Sequence, residues 1–205
     1  MGGSERTAED GPPDDPDVAL MLRVQAGDEG AFRLLVERNG RRVLSLAYRY
    51  LGERSAAEDV VQETFLKLYQ ARDRYRPEAR FGSYLLRIAS NLCVSKLRKR
   101  RPLSLSAGDD DEGRGAEPED ERARAPDDAL ARDELHAKVR AAVAQLPERQ
   151  RLAILLNKFE GLDYKEVGEQ LGLTVPATKS LLHRARMALK DVLAGDVEPE
   201  EEEGQ

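Results

Sequence analysis

Between Pro102 and Asp128 the chain carries 10 acidic and 3 basic residues, with almost no large apolar side chain after Leu105. A stretch of that composition cannot bury enough surface to offset the entropy of ordering it. One core running through all 205 residues is therefore excluded. The expectation is an all-α chain of two small helical domains, residues 17–101 and 129–194, joined by a flexible acidic linker at 102–128. Acidic, disordered ends would flank them at 1–16 and 195–205.

Charge follows the same division. The net charge of −6 hides +8 on residues 17–101 and +3 on 129–194, against −7 on the linker, −4 on the first 16 residues and −6 on the last 11. Two basic bodies separated by acidic tracts point to a polyanionic partner for the bodies. The core is thin as well as divided: apolar residues make up 40% of the chain, with no Trp, 4 Phe and 6 Tyr.

Several function classes drop out at this stage. With only His136 and His183, a single Cys93 and no Gly-rich phosphate loop after a strand, the templates for a nucleophile, a metal site or a nucleotide site all fail. No catalysis, metal or cofactor is expected. Cys93 lies in an apolar helical pattern and reads as a buried structural thiol. No run is long enough to span a bilayer, and the N-terminus is acidic where a signal peptide would be basic and then apolar. These features suggest a reducing, cytoplasmic setting without membrane insertion.

Helical periodicity divides residues 17–101 into four segments. DVALMLRVQAG stops at Gly27, and a second helix carries Phe32, Leu35, Val36, Val43, Leu46, Ala47 and Tyr50 inward until Gly52. The third opens on Ser55-Ala-Ala-Glu58, a capping-box pattern, and turns Val60, Val61, Phe65, Leu68 and Tyr69 to the core. Asp59, Gln62, Glu63 and Leu66 then share the opposite side at i, i+3, i+4 and i+7. A stripe combining two carboxylates with a leucine suits neither a core face nor an ordinary solvated face. After the loop RDRYRPEAR, broken by Pro77, the fourth helix turns Phe81, Leu85, Ile88, Ala89, Leu92 and Cys93 inward and Arg87, Asn91, Ser95 and Arg98 outward.

In the second body, a helix over about 129–145 precedes LPERQRLAILLNKF, with Leu152, Leu155, Leu156 and Phe159 expected inward. A short helix from Tyr164 to Leu171, a turn at Gly172 and a longer helix opened by Thr174 have the size of a helix-turn-helix. Thr178, Leu182, Ala185 and Leu189 face the core of that longer helix. Lys179, His183, Arg186 and Lys190 line up outward, with Ser180 and Arg184 alongside. In a DNA-binding helix-turn-helix such a helix enters the major groove, its first residues at base edges and its basic flank on phosphates, while on this segment alone a solvated basic face of an ordinary helical hairpin fits equally well. Leu181 reads as packed.

These motifs, in this order, resemble bacterial sigma factors of the extracytoplasmic-function (ECF) group of the sigma-70 family. DVVQETFLKLY is similar to the family's core-polymerase-binding helix and FGSYLLRIASNLCVSKLRKR to its promoter-melting helix. The segment LPERQRLAILLNKFEGLDYKEVGEQLGLTVPATKSLLHRARMAL is similar to its promoter-reading domain. The resemblance implies a transcription initiation factor that binds core RNA polymerase and takes it to particular promoters. Asp59, Gln62, Glu63 and Leu66 would dock on a coiled coil of the polymerase. The loop from Arg72 to Arg80, with Tyr75 as a stacking surface, and Arg87, Asn91 and Arg98 would hold melted bases of the minus-10 element. Lys179, Ser180, His183, Arg184 and Arg186 would read the minus-35 element.

The resemblance also implies an anti-sigma partner and a linker seated in the polymerase's cationic channel. The chain departs from the family at Tyr84, where Trp is common, at Ser95 for Asp, at Pro176-Ala177 for Gly-Thr, and at Leu181 for Arg. The alternative is a helix-turn-helix regulator acting on duplex DNA without polymerase.

Overall fold

A computed structural model of the protein describes residues 15–100 and 128–195. The linker and acidic-end assignments at 1–14, 102–127 and 196–205 lie outside the described residues. All regular structure in the described residues is helical. The described residues divide into two compact units, one built from 15–47 together with 55–98, the other from 48–54 together with the described residues beyond 98.

In the first unit, α1 (Pro16–Gln25), α2 (Glu29–Leu51), α3 (Arg54–Gln70) and α4 (Phe81–Arg100) bury the faces that their apolar spacing predicts. Met21, Leu35, Val43, Leu46, Val60, Leu68, Leu85 and Cys93 are almost completely shielded from solvent. Phe32 meets Phe65 and Tyr69 edge to face, with ring centroids 6.4 and 5.1 Å apart. On α4 the buried set includes Leu86, while Ile88 is only half-buried. Cys93 is a buried thiol, and burial pushes its pKa up to about 12.

The first unit begins earlier than its composition suggests. Asp15 and Pro16, assigned above to a disordered end, are structural: Pro16 opens α1 and Asp15 is its N-cap, accepting from the Asp17 amide at 3.0 Å. Helix α3 likewise starts one residue before Ser55, the expected cap.

In the second unit, α5 (Asp128–Gln145) is followed by α6 (Glu148–Ile154), whose N-cap is Pro147. The helix then widens into a π turn over Leu155–Phe159, in which the Glu160 amide donates to the Leu155 carbonyl at 3.1 Å. Leu152, Leu155 and Leu156 face inward as expected. Phe159 does not; it is 44% exposed. The wider turn breaks the 3.6-residue register and carries Phe159 off the buried stripe.

The helix-turn-helix consists of α7 (Tyr164–Leu171) and α8 (Val175–Gly195). Asp163 and Glu166 form a reciprocal capping box at the start of α7, at 2.8 and 3.0 Å. Gly172 ends α7 in the left-handed conformation at φ 65° and ψ 38°, which glycine adopts without a Cβ clash. Two residues later Thr174 takes up the chain: its Oγ1 accepts from the Ala177 amide at 3.4 Å, and its carbonyl accepts from the Thr178 hydroxyl at 3.0 Å. The two helices pack so closely that a Cβ on Gly168 would lie 2.8 Å from both the Leu173 carbonyl oxygen and Thr178 Oγ1. Gly168 therefore fixes how the turn folds back on α7.

Candidate protein-docking and nucleic-acid interfaces

On α3 the buried residues Ala56, Ala57, Val60, Thr64, Phe65 and Leu68 leave Asp59, Gln62 and Leu66 exposed and Glu63 half-buried on the other side. Leu66 is 56% exposed. The carboxylates already have lysine neighbours: Lys96 Nζ of α4 donates to Asp59 Oδ2 at 2.8 Å, and Lys67 Nζ lies 3.7 Å from Glu63 Oε1. The two ion pairs hold the acids on either side of Gln62, with the leucine one turn further on.

On α4, Arg87, Asn91, Ser95 and Arg98 are all exposed along one side, and the Arg87 guanidinium sits over the Tyr84 ring at 5.5 Å. Arg80, at the end of the preceding loop, is also exposed. Tyr75 is not. Its side chain is 2% exposed and is wedged edge to face against Phe81 and Tyr84, with centroids 6.4 and 5.2 Å away.

The stacking role expected for Tyr75 is therefore corrected. An aromatic between arginines in a loop looks available from sequence, but here the ring is the loop's apolar anchor. Its hydroxyl is buried without a partner, and burial raises its pKa to about 12. Of the three rings in this cluster, Tyr84 is the one only half-buried, beneath Arg87.

On α8, Thr178, Leu181, Leu182 and Ala185 are buried, and Lys179, Ser180, His183, Arg184, Arg186 and Lys190 are exposed. Leu181 packs into the unit, as its type suggested. The opening of the helix is anchored by the turn, so the residues expected to read DNA project from its first four turns. Arg186 is held more tightly than its neighbours. Its Nε donates to the Leu182 carbonyl at 3.1 Å and its NH2 to the Tyr164 hydroxyl at 3.3 Å, and this guanidinium lowers the Tyr164 pKa. From α6, Arg149 donates to the Leu171 carbonyl at 3.1 Å and so caps the end of α7.

Among the described residues no group of three or more His, Cys, Asp or Glu is placed to hold a metal ion, and no helix is long and apolar enough to cross a membrane.

Family models match both units. Sigma-70 region 2 covers residues 35–102 and Sigma-70 region 4 covers residues 136–189. Across nearly the whole chain, the RNA polymerase sigma-H factor of Pseudomonas aeruginosa is 37% identical over 183 residues, covering 86% of this chain and 93% of that protein. The ECF sigma-E factor of Escherichia coli K12 is 36% identical over 179 residues, with coverages of 84% and 92%. The chain is an ECF sigma factor of the sigma-70 family.

Among solved structures, CnrH in complex with the cytosolic domain of CnrY matches with a TM-score of 0.67 and 28% identity, covering 89% of this chain and 99% of that one. A sigma factor RpoE from Bartonella quintana shares the fold at a TM-score of 0.59 and 22% identity. Within this sigma factor, the α3 stripe and the exposed side of α4 fall inside the region 2 match, and the helix-turn-helix up to residue 189 of α8 falls inside the region 4 match. Helix α1 lies ahead of both.

Proposed function

We propose that this promoter-specific initiation factor divides its work among three surfaces. Asp59, Gln62, Glu63 and Leu66 dock on core RNA polymerase, where arginines of the partner displace the resident lysines and Leu66 is covered. Arg80, Arg87, Asn91 and Arg98, with the loop between α3 and α4, hold the melted minus-10 segment. Tyr84 beneath Arg87 supplies the ring face that Tyr75 does not. Cationic contacts to the backbone combined with stacking favour separated strands, so opening requires no ATP: holding the bases offsets the cost of unpairing them. Lys179, Ser180, His183, Arg184 and Arg186 read the minus-35 duplex from the major groove.

In this reading residues 17–101 and 129–194 act as two domains spanned by the acidic linker, and the chain works by binding, with no catalysis of its own. A regulatory partner belongs to the same proposal: CnrH forms a complex with the cytosolic domain of CnrY, and this factor would likewise be bound by a partner protein, an anti-sigma factor.

The observation that carries the proposal is the α3 stripe, in which an exposed leucine lies among carboxylates on a helix whose opposite face is fully packed. The test is the Asp59→Arg/Glu63→Arg double variant in a transcription assay with core polymerase on a pool of promoters. Loss of polymerase binding and promoter opening, with the helical fold unchanged by circular dichroism, is the expected result. Unchanged opening by the variant, or sequence-specific duplex binding that never requires polymerase, would move the weight to an independent regulator.

A further inference from the structure

The loop between α3 and α4 spans Ala71 to Arg80, has only one short 3₁₀ turn at Arg72–Arg74, and carries four arginines. A loop so basic and so short of secondary structure should be mobile on its own. Here both of its ends are tied to one helix. At its start, the Gln25 side chain, from the last residue of α1, donates through Nε2 to the carbonyls of Arg72 at 3.1 Å, Asp73 at 3.2 Å and Tyr75 at 3.5 Å. At its end, Asp15 caps α1 with Oδ1 and accepts from the Phe81 amide, the first of α4, with Oδ2 at 3.0 Å.

Asp15 and Gln25 sit at opposite ends of a ten-residue helix, and each grips the opposite end of the loop. Between the grips, Tyr75 packs against Phe81 and Tyr84, and Arg76 donates back to the Tyr75 carbonyl at 3.0 Å.

We propose that α1 is a brace for the promoter-melting loop, with Gln25 and Asp15 as positioning residues that hold the loop in its strand-capturing shape before DNA arrives. This rests on the reading above that the loop and α4 hold melted minus-10 bases. The physical gain is preorganisation: a loop already ordered loses less entropy when it closes on a single strand. Three carbonyls converging on one amide nitrogen also explain why the position needs Gln. A carboxylate there would have no N–H to donate, and an apolar side chain of equal length would leave the carbonyls without that donor.

The test uses the full chain bound to core polymerase and a promoter recovered from the pool assay, supplied as a duplex left unpaired across its minus-10 segment. Gln25→Met keeps the volume and removes the donors. Its affinity for core polymerase should be unchanged, its affinity for the pre-melted template should fall about tenfold, as for loss of one to two hydrogen bonds, and amide exchange should quicken at residues 72–76 but not in α2 or α3. Asp15→Ala, which releases the other end, should quicken exchange around Phe81.

Pre-melted binding within twofold of wild type, or a loss matched by an equal loss of polymerase affinity, would overturn the brace. An Arg80→Ala/Arg87→Ala/Asn91→Ala variant run in parallel separates the two ideas. If it binds the pre-melted template normally, the minus-10 reading fails, and unchanged exchange at residues 72–76 in Gln25→Met would overturn the brace on its own.

Discussion

Gly168→Ala tests whether the helix-turn-helix angle is set by backbone contact. A methyl at this position meets the Leu173 carbonyl oxygen and Thr178 Oγ1, each at 2.8 Å, and neither can retreat easily. The carbonyl belongs to the turn, whose Leu173 amide donates to the Gly168 carbonyl at 2.8 Å, and Thr178 is fully buried with its hydroxyl bonded to Thr174. Overpacking of this kind costs about 1–3 kcal/mol, and a backbone obstacle places it near the top of that range. Replacing a mid-helix glycine returns up to about 1 kcal/mol of helix propensity. The net is a destabilisation of about 1–2 kcal/mol, or roughly a 5–30-fold shift in the folding equilibrium of this unit.

Native-state amide exchange in α7 and α8 is the suitable assay, because a chain of two units has no single unfolding free energy. Thr178→Ala in the same background removes one of the two obstacles, so the cost of Gly168→Ala should shrink there without vanishing. Exchange as slow as wild type in Gly168→Ala, or an identical cost in both backgrounds, would refute the contact argument.

Asp163→Ala removes one arm of the α7 capping box and should cost about 1 kcal/mol, read as faster exchange at the first turn of α7. Cys93 should resist alkylation in the native protein at pH 8 and react fully in denaturant, since its thiol is buried and its pKa is pushed to about 12. Cys93 and Tyr75 together make the first unit alkali-sensitive. Both lose protons more readily when unfolded, from ordinary values of 9.0 and 10.0 against about 12 folded, so the unfolded state holds fewer protons above pH 9. Their contribution is complete below pH 9 and declines as pH rises toward 12, and Cys93→Ala should flatten the first part of that decline in a denaturation series from pH 8 to 11.

Local signals were legible in the sequence wherever the physics is local. The bounds of α7, the turn at Gly172, the cap at Thr174 and the outward stripe on α3 all follow from side-chain spacing and turn chemistry within a few residues. What was missed depends on residues distant in the chain. Asp15 looked like part of an acidic tail because its partner at Phe81 is 66 residues away, and Gln25 looked unremarkable because the carbonyls it binds are 47 to 50 residues away. Tyr75 looked exposed because burial of a loop aromatic is decided by what α4 places beneath it. Phe159 followed a period that the π turn does not keep, and no residue type announces that turn.

The lysines beside the α3 stripe bear on how the proposed docking on core polymerase can work at all. Exposed ion pairs such as Lys96 with Asp59 and Lys67 with Glu63 are each worth about 0–1 kcal/mol, so exchanging them for arginines of a partner costs little. Until that exchange they keep the two carboxylates extended on the helix surface, which lowers the side-chain entropy lost on docking. The larger gain comes from Leu66: full burial of a leucine contributes about 1.5–3 kcal/mol, and a little over half of its surface is still available to be covered. Docking should therefore be more sensitive to Leu66→Ala than to Lys96→Ala. Asp59→Arg is a harsher change than loss of a contact, because it sets a second cation against Lys96. Comparing core-polymerase affinities of Asp59→Ala, Leu66→Ala and Lys96→Ala separates these contributions, and a Lys96→Ala loss equal to that of Leu66→Ala would show that the ion pair, not the leucine, governs the surface.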